Sequence, residues 1–206
     1  SLGLHEIETY PRLRVGVIST GDELVDDGGP LAPGQIRDSN RRTLLSLLSG
    51  DGFEPVDLGL IADDELAIET ALVQGAQNCD AVVTSGGVSM GDFDYVKAVL
   101  DRIGDMRWMQ VAIKPAKPLA FGTIEGTPIF GLPGNPVSSM VSYELFARSG
   151  LRSMMGFPQP VRPVVQAVAA NPLTRRIDGK IHYARVLAKH EDGKTVVYPV
   201  SGQGLH

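Results

Sequence analysis

The sequence of 206 residues contains a single cysteine, Cys79, and no uninterrupted apolar run of about 18 residues. One cysteine excludes an internal disulfide and a cysteine-cluster metal site, and it is typical of a reducing compartment, so we expect a cytoplasmic protein. The missing apolar run predicts that no helix crosses a membrane. The first residues lack the features of a secretory signal and do not begin with Met, so we expect a processed chain or part of a longer one.

Basic clusters and zinc-site spacings are also missing. The formal net charge is −5, which argues against nucleic acid as the main partner. The four histidines are scattered along the chain, and none is paired at the spacing that zinc sites use. The sequence has neither a GxGxxG nor a GxxxxGK[ST] motif, so the usual dinucleotide and P-loop interpretations lack support.

Apolar runs and helical periodicity alternate along residues 13–155. The pattern predicts strands at 14–19, 53–60, 81–84, 108–113, 118–124 and 127–130, and helices at 40–49, 63–78, 95–103 and 137–148. Such alternation is typical of an α/β fold, a mostly parallel sheet with helices on both faces. We assign residues 13–155 to this domain and residues 1–12 to an N-terminal extension.

The composition changes after residue 155. Residues 156–163 contain three prolines and are predicted to form a linker. Beyond it, residues 164–169, 181–188 and 195–200 are strand candidates with no helix between them, which indicates a small β domain over 156–206. An isolated sheet of that size is only marginally stable, so we expect this domain to be truncated.

A glycine-rich turn follows the third predicted strand. Ser85, Gly86 and Gly87 lie between a buried β-branched run and a helix that begins near Tyr95. Glycines at such a turn allow backbone N–H groups to approach a phosphate, and a helix N-terminus favours an anion. The carboxylates of Asp92 and Asp94 suit a divalent cation placed between acid and phosphate. The turn therefore predicts a phosphorylated ligand that is handled with a metal.

Two further acidic turns are predicted at the same edge of the sheet. Glu23, in the turn after the first strand, either helps to cap local backbone or faces the ligand. Asp63, after the second strand, is placed either to cap the next helix or to face the ligand. Because carboxyl ends of parallel strands share one edge, three acidic turns together favour the ligand-facing interpretation.

Two proline-stiffened segments follow later strands. Lys114 and Lys117 are either a solvated basic turn or an anion clamp that has little backbone freedom to lose. In the segment 131–138, Pro136 restricts Asn135 to extended geometry. The helix that begins near Val137 can then present its free N–H groups to a ligand.

Taken together, STGDEL at 19–24, SGGVSMGDFDY at 85–95, KPAKP at 114–118 and GLPGNPVS at 131–138 resemble the molybdopterin molybdenumtransferase family. This is the MoeA type, which includes the E domain of gephyrin. The first two motifs also recur in molybdopterin adenylyltransferases and CinA-like proteins, whereas the last motif, the proline linker and the β domain favour the MoeA type. The resemblance implies the molybdopterin-binding fold and the insertion of molybdate into adenylylated molybdopterin, with release of AMP.

The resemblance also implies site residues, which can be grouped by role. The catalytic acids, which hold Mg²⁺ or molybdate, would be Glu23, Asp63 and Asp94. Binding of the pterin phosphate and other anionic groups would fall to Thr20, Gly21, Ser85, Gly86, Gly87, Lys114, Lys117, Pro133, Asn135, Pro136 and Arg185. Gln110 stands where many members have a lysine, which leaves a charge role there open.

Members of this family carry two further N-terminal domains that complete the active site across a homodimer interface. We therefore expect this chain alone to bind pterin phosphate or nucleotide without turnover. Two alternatives remain, an adenylyltransferase on the same fold and a non-catalytic scaffold of the gephyrin type. The β domain disfavours the first alternative, and the three acids disfavour the second.

Overall fold

The structure is a computed structural model that describes residues 6–88, 94–174 and 177–200. The first elements in chain order are β1 (Arg14–Thr20), β2 (Leu24–Val25), β3 (Ile36–Arg37), α1 (Ser39–Gly50), β4 (Glu54–Ile61), α2 (Glu65–Asn78), β5 (Ala81–Ser85) and α3 (Tyr95–Ile103). They are followed by β6 (Asp105–Gln110), β7 (Ile113–Lys114), β8 (Pro118–Ile124), β9 (Thr127–Leu132), α4 (Pro136–Ser142), a π-helical turn (Tyr143–Ala147) and α5 (Arg148–Met154). The C-terminal strands are β10 (Val168–Ala169), β11 (Ile181–His182), β12 (Val186–Glu191) and β13 (Lys194–Pro199).

A six-stranded sheet in the order β4-β1-β5-β9-β8-β6 forms the centre of the molecule. β4, β1, β5 and β9 run parallel, and β8 is antiparallel to both of its neighbours. The carboxyl ends of the four parallel strands and of β6 therefore meet at one edge. This architecture confirms the predicted α/β fold.

Apolar side chains cover both faces of the sheet, which is why β1 is buried along its whole length after Arg14. On one face, Val15 and Val17 pack with Leu44 and Leu48 of α1. On the other face, Ile18 packs with residues of α2 and α3. Burying one such side chain contributes about 1.5–3 kcal/mol, so this two-sided core holds the strand ends in a fixed arrangement.

Two predicted boundaries differ from the structure. The strand expected at 108–113 is two elements, because the Ile113 N–H donates to the Val111 carbonyl at 2.8 Å and interrupts the extended chain. The helix expected at 137–148 continues to Met154 through the π-helical turn. Gly150 does not end it, because this glycine packs under Phe130, where a Cβ would lie 2.9 Å from Cζ of the ring.

The C-terminal region forms a separate three-stranded sheet in the order β10-β13-β12. The strand expected at 181–188 is split, and its first part, β11, pairs with β7 of the larger domain instead. The proline linker is held on the helical side, where Arg162 Nε donates to Glu144 at 2.8 Å and Arg148 donates to the Pro160 carbonyl at 3.3 Å. Among the described residues, no helix is both long and apolar enough to cross a membrane.

Candidate functional site

A pocket of about 370 Å³ opens at the carboxyl edge of the sheet. Strand ends, glycine turns and helix starts all contribute to its lining. The lining residues are Thr20, Gly21, Glu23, Leu24, Ile36, Arg37, Asp38, Ser39, Asn40, Asp63, Ser85, Gly86, Gly87, Val88, Asp94, Tyr95, Val96, Gly134 and Pro136. The position agrees with the rule that open α/β sheets bind ligands beyond the carboxyl ends of their strands.

The glycine turn forms the floor of this pocket. Gly86 and Gly87 both have positive φ, 93° and 69°, which side chains other than glycine adopt at a cost. A Cβ on Gly87 would lie 2.3 Å from Cβ of Val96, so only glycine lets α3 approach the turn this closely. The Gly86 N–H is used by the Leu132 carbonyl at 3.0 Å. The rest of the motif, residues 89–93, includes Asp92 and lies outside the described residues.

The three predicted acids lie on different elements but share this pocket. Glu23 follows β1, Asp63 follows β4, and Asp94 precedes α3. Burial raises the pKa of Asp63, and the negative charges of Asp22, Glu23 and Asp94 raise it further. The pocket therefore brings carboxylates together against their mutual repulsion, a cost that a bound cation would remove.

The helix caps distinguish between the two interpretations offered for Asp63. Asp64, not Asp63, caps α2 by accepting from the Ala67 N–H at 2.8 Å. Asp63 instead forms a reciprocal bridge with Asp22, whose carboxylate accepts from the Asp63 N–H at 3.1 Å. The local-cap interpretation of Asp63 is thus wrong, and its carboxylate lies at the pocket. Asp94 has both a capping role and a place in the pocket. It accepts from the Lys97 N–H at 3.2 Å, which caps α3, and it lines the pocket.

The donor chemistry of the pocket fits Mg²⁺ only in part. Carboxylate oxygens are the ligands this hard cation prefers, and Mg²⁺ commonly takes one or two of them together with substrate phosphates. Within the described ranges, however, no three Asp, Glu, His or Cys side chains are grouped closely enough to hold a metal by themselves. A cation here would need oxygens from the ligand as well.

One wall of the pocket, residues 36–40, was not predicted from the sequence. Asp38 caps α1 and accepts a hydrogen bond from the Ser19 hydroxyl at 3.0 Å. Asn40 Nδ2 donates to the Gly134 carbonyl at 2.7 Å, and Arg37 adds a cation to the wall. The signal that could have found this wall is the polar sequence Asp38-Ser39-Asn40, which stands at the start of the helix predicted over 40–49.

The segment after β9 lies against the glycine turn. The position of a Cβ on Gly134 would be 3.6 Å from Cα of Gly86, so the two loops abut. Asn135 caps α4 by accepting from the Ser138 N–H at 3.3 Å, and Pro136 occupies the first turn. Gly134 and Pro136 line the pocket, whereas Asn135 and the buried Pro133 support the loop from outside the described lining.

The predicted cations of the site are not brought into this pocket. Lys114 and Lys117 follow β6, which is three strand positions from β5 in the sheet, a separation of roughly 14 Å at ordinary strand spacing. Both lysine side chains are exposed. Arg185 is an exposed residue of the C-terminal region, and its carbonyl accepts from the Val200 N–H at 3.3 Å. These three residues adjoin the pairing of β7 with β11 instead.

Comparison with known proteins agrees with this geometry. Residues 16–153 match the family described as "Probable molybdopterin binding domain". This chain belongs to the molybdopterin-binding domain family. The matched range contains the whole pocket lining, so the family match and the pocket concern the same part of the chain.

Two curated relatives extend the comparison beyond the pocket. The chain is 41% identical over 207 residues to the molybdopterin molybdenumtransferase of Haemophilus influenzae, covering 100% of this chain and 51% of that protein. It is also 41% identical over 204 residues to molybdopterin molybdenumtransferase 2 of Mycobacterium tuberculosis, covering 96% and 50%. The chain thus spans about half the length of these curated relatives.

A solved structure of the family gives the same result for the fold. The molybdopterin biosynthesis MoeA protein of Pyrococcus horikoshii superposes with a TM-score of 0.70 at 28% identity, covering 94% of this chain and 46% of that chain. The similarity includes the C-terminal sheet as well as the molybdopterin-binding domain, because it extends over nearly the whole chain.

Proposed function

We propose that this chain is the catalytic half of a molybdopterin molybdenumtransferase, which inserts molybdate into adenylylated molybdopterin and releases AMP. The observation that carries the proposal is the shared pocket, in which Glu23, Asp63 and Asp94 face the same space as the Ser85–Gly87 turn. Relatives that match the whole chain carry this name. The proposed role suits the part of these relatives that the chain matches, because the pocket of this chain lies wholly within the molybdopterin-binding domain.

The phosphate of the pterin would bind at the glycine turn. Ser85 is buried at the end of β5, and Gly87 permits the N-terminus of α3 to lie beside the turn. Amides and a helix N-terminus stabilise a phosphate without requiring a counter-charge. Thr20 and Gly21 would complete the cradle from β1, and Gly134 and Pro136 from the loop after β9, where Asn135 and Pro133 hold the backbone.

The acids would act in the same pocket, next to the bound phosphate. In this proposal Glu23, Asp63 and Asp94 would hold Mg²⁺ with the help of oxygens from the ligand, and the cation would supply positive charge at the scissile pyrophosphate. The side chains themselves would orient the phosphates and keep the reacting groups aligned. The raised pKa of Asp63 supports this role, because burial, and to a lesser extent the nearby carboxylates, disfavour a negative charge that a cation would stabilise.

Molybdate and other anionic groups would meet the second set of residues, Lys114, Lys117 and Arg185. These cations stand away from the acidic pocket, which separates an oxyanion from the carboxylates that would repel it. Gln110 lies at the end of β6 beside this set. A neutral side chain there leaves the two lysines as the charged groups that the segment 110–118 contributes.

A homodimer would supply enclosure from water that this chain lacks on the open side of the pocket. A cytoplasmic location suits the proposed small-molecule substrates, and the free, buried thiol of Cys79 is compatible with it. An adenylyltransferase of the same fold is the competing function, and the relatives' identity across the C-terminal region favours the molybdenumtransferase.

The test compares two aspartates that both cap helices. Asp94→Asn keeps a capping oxygen for α3 but removes a carboxylate from the pocket. Asp64→Asn likewise keeps a capping oxygen for α2, but the carboxylate that it removes lies outside the described lining of the pocket. In the full-length protein, molybdenum insertion and AMP release are measured from adenylylated molybdopterin and molybdate. We expect Asp94→Asn to lower the insertion rate by about a hundredfold or more, with Asp64→Asn near the unaltered rate.

Pterin binding separates a catalytic role from a binding role. Because the charge should matter most in the transition state, Asp94→Asn should change the affinity for molybdopterin far less than it changes the rate. Equal insertion rates in the two variants, or loss of insertion in both, would contradict the proposed role of the acids.

A further inference from the structure

The segment of residues 111–117, here named the lysine loop, is built separately from the pocket. It closes on itself through a hydrogen bond from the Val111 N–H to the Lys117 carbonyl at 2.8 Å. Ile113, Pro115 and Ala116 are buried, whereas the side chains of Lys114 and Lys117 are exposed. The loop thus fixes its backbone inside the protein and presents two cations outside it.

The lysine loop has a partner from the other end of the chain. Within the residues that the structure describes, its strand β7 lies outside the six-stranded sheet and pairs in parallel with β11. Ile181 lies opposite Ile113, and His182 lies opposite Lys114. The Ile181 N–H donates to the Ala112 carbonyl at 2.9 Å, and the Tyr183 N–H donates to the Lys114 carbonyl at 2.8 Å.

These two hydrogen bonds act on the backbone that carries Lys114. A strand of two residues is too short to persist without a partner, so β11 supplies order that β7 cannot supply for itself. Because Tyr183 bonds to the backbone of Lys114 and not to its side chain, the exposed ammonium group of Lys114 stays available for a ligand. A loop that is ordered beforehand loses less conformational entropy when an anion binds.

The charges near the pairing are mostly positive. Two basic residues flank β11 along the chain, Lys180 before it and Arg185 after it, and Lys114 lies in the partner strand β7. Asp178 lies close to β11 as well, with its carboxylate 2.9 Å from His182 Nε2. This junction therefore suits an anion, in contrast to the acidic pocket.

We propose that β11 is a positioning strand for the lysine loop: the Tyr183 and Ile181 amides hold Lys114 and Lys117 in the arrangement that receives a tetrahedral oxyanion. The C-terminal region then takes part in substrate binding through its backbone, in addition to any contact made by Arg185. The choice of molybdate as the oxyanion rests on the proposed function, whereas the ordering of the loop does not.

The test removes one N–H while a matched variant keeps it. Tyr183→Pro removes the donor to the Lys114 carbonyl, and Tyr183→Ala removes the exposed side chain but keeps that donor. Ile181→Pro removes the second donor, the Ile181 N–H. It shows whether an effect of Tyr183→Pro comes from the lost hydrogen bond or from the proline at that one position. Three quantities are measured on each variant: amide hydrogen exchange within residues 111–117, molybdate affinity and AMP affinity by calorimetry.

Both proline variants should show exchange in the lysine loop that is faster by about fivefold, and molybdate affinity weaker by about fivefold, the effect of one net hydrogen bond. Tyr183→Ala should match the unaltered chain in both measurements. AMP affinity should be unchanged in all three variants, which would also show that the larger domain is folded. A global loss of structure would instead weaken AMP binding as well and would overturn the assignment of a local role.

The outcomes separate this inference from the proposed function. If the proline variants exchange like Tyr183→Ala, β11 does not order the loop and the inference is wrong. If exchange rises but molybdate affinity stays the same, the loop is ordered by β11 without serving the oxyanion, which also contradicts the inference. If the unaltered chain binds no molybdate while exchange rises, the ordering role stands and the proposed function is the part that fails.

Discussion

Arg41 Nε donates a 2.8 Å hydrogen bond to Oδ2 of Asp38, three residues earlier. Both side chains are buried, with 5% and 1% of their surfaces exposed. The same guanidinium contacts Asp57 at 2.5 Å and also pairs with Asp26. Burial alone would lower the pKa of Arg41, but its hydrogen bonds to Asp38 and Asp57 hold that pKa above its ordinary value. A buried, permanently charged arginine thus sits behind the pocket wall and holds Asp38 in place.

Replacing Arg41 by Met should therefore lower the free energy of unfolding by about 3–5 kcal/mol, because buried carboxylate charge loses its partner. Arg42 offers a matched control, since it also pairs with Asp26 but is 67% exposed. Arg42→Met should cost at most about 1 kcal/mol. Urea unfolding of the two variants measures both values. Similar losses would mean that burial does not set the strength of this network.

Gly87→Ala should weaken AMP binding and destabilise the fold. The new Cβ would meet Val96 at 2.3 Å, and the residue has a φ of 69°. Gly126 is the matched control, because its φ is 87° and a Cβ there meets nothing within 4 Å. Both variants carry the backbone cost of about 1–2 kcal/mol, but only Gly87→Ala should displace α3.

Calorimetric titration with AMP distinguishes the two glycine variants. We expect an affinity loss of at least about tenfold for Gly87→Ala, since roughly 1.4 kcal/mol corresponds to each factor of ten. Gly126→Ala should bind AMP like the unaltered chain. Retention of full affinity by Gly87→Ala would place the phosphate elsewhere.

Asp63→Asn should stabilise the folded chain at neutral pH. Burial and neighbouring carboxylates raise the pKa of Asp63 above its value in the unfolded chain, so the ionised form is penalised on folding. As the pH falls through this raised pKa, the folded protein takes up the proton first and the penalty disappears. The gain from Asn should thus be present at neutral pH and absent in strong acid.

The size of that gain should stay below about 1 kcal/mol, because solvent screens the partly exposed group. Thermal unfolding at pH 7 and at about pH 3 measures it. Asp64→Asn serves as the control, because its capping bond to the Ala67 N–H can be kept by the amide oxygen. A stabilisation of equal size at both pH values would show that charge repulsion is not its cause.

This chain alone should bind AMP and yet give little or no molybdenum insertion. The pocket lies within one domain, and its described lining residues all belong to this chain, so we expect binding to need only this fold. Turnover also needs exclusion of water and a fixed position for molybdate, and a misplacement of about 1 Å costs on the order of a hundredfold in rate. Calorimetry and an insertion assay on one preparation decide this, and a rate close to that of the full-length protein would refute it.

The local elements followed from the sequence wherever one pattern dominated. The run that forms β5 is buried on both faces, and the leucines of α1 repeat at helical spacing, so chain chemistry alone predicted both. The glycine turn was equally visible, since positive φ at Gly86 and Gly87 restricts those positions to glycine. The edge of the sheet that carries the site was also predictable, because the carboxyl ends of parallel strands lie at one edge.

Long-range pairing was decided only by the tertiary structure. Whether Asp63 or its neighbour caps α2 depends on where β4 ends, and that end is set by its register with β1. The sequence predicted a helix that ends at residue 148, but in the structure the helix continues past Gly150, which packs against Phe130, to Met154. A glycine reads the same in a sequence whether it ends a helix or makes room for a ring.

The lysine loop shows most clearly what the sequence could not predict. The sequence placed Lys114 and Lys117 at the correct edge of the sheet, because β6 runs in the same direction as β9. It could not show that they lie away from the acidic pocket, since strand order across the sheet is not encoded in any local pattern. Nor could it show that Tyr183, distant in sequence, holds the Lys114 carbonyl, because a backbone hydrogen bond places no constraint on side-chain type.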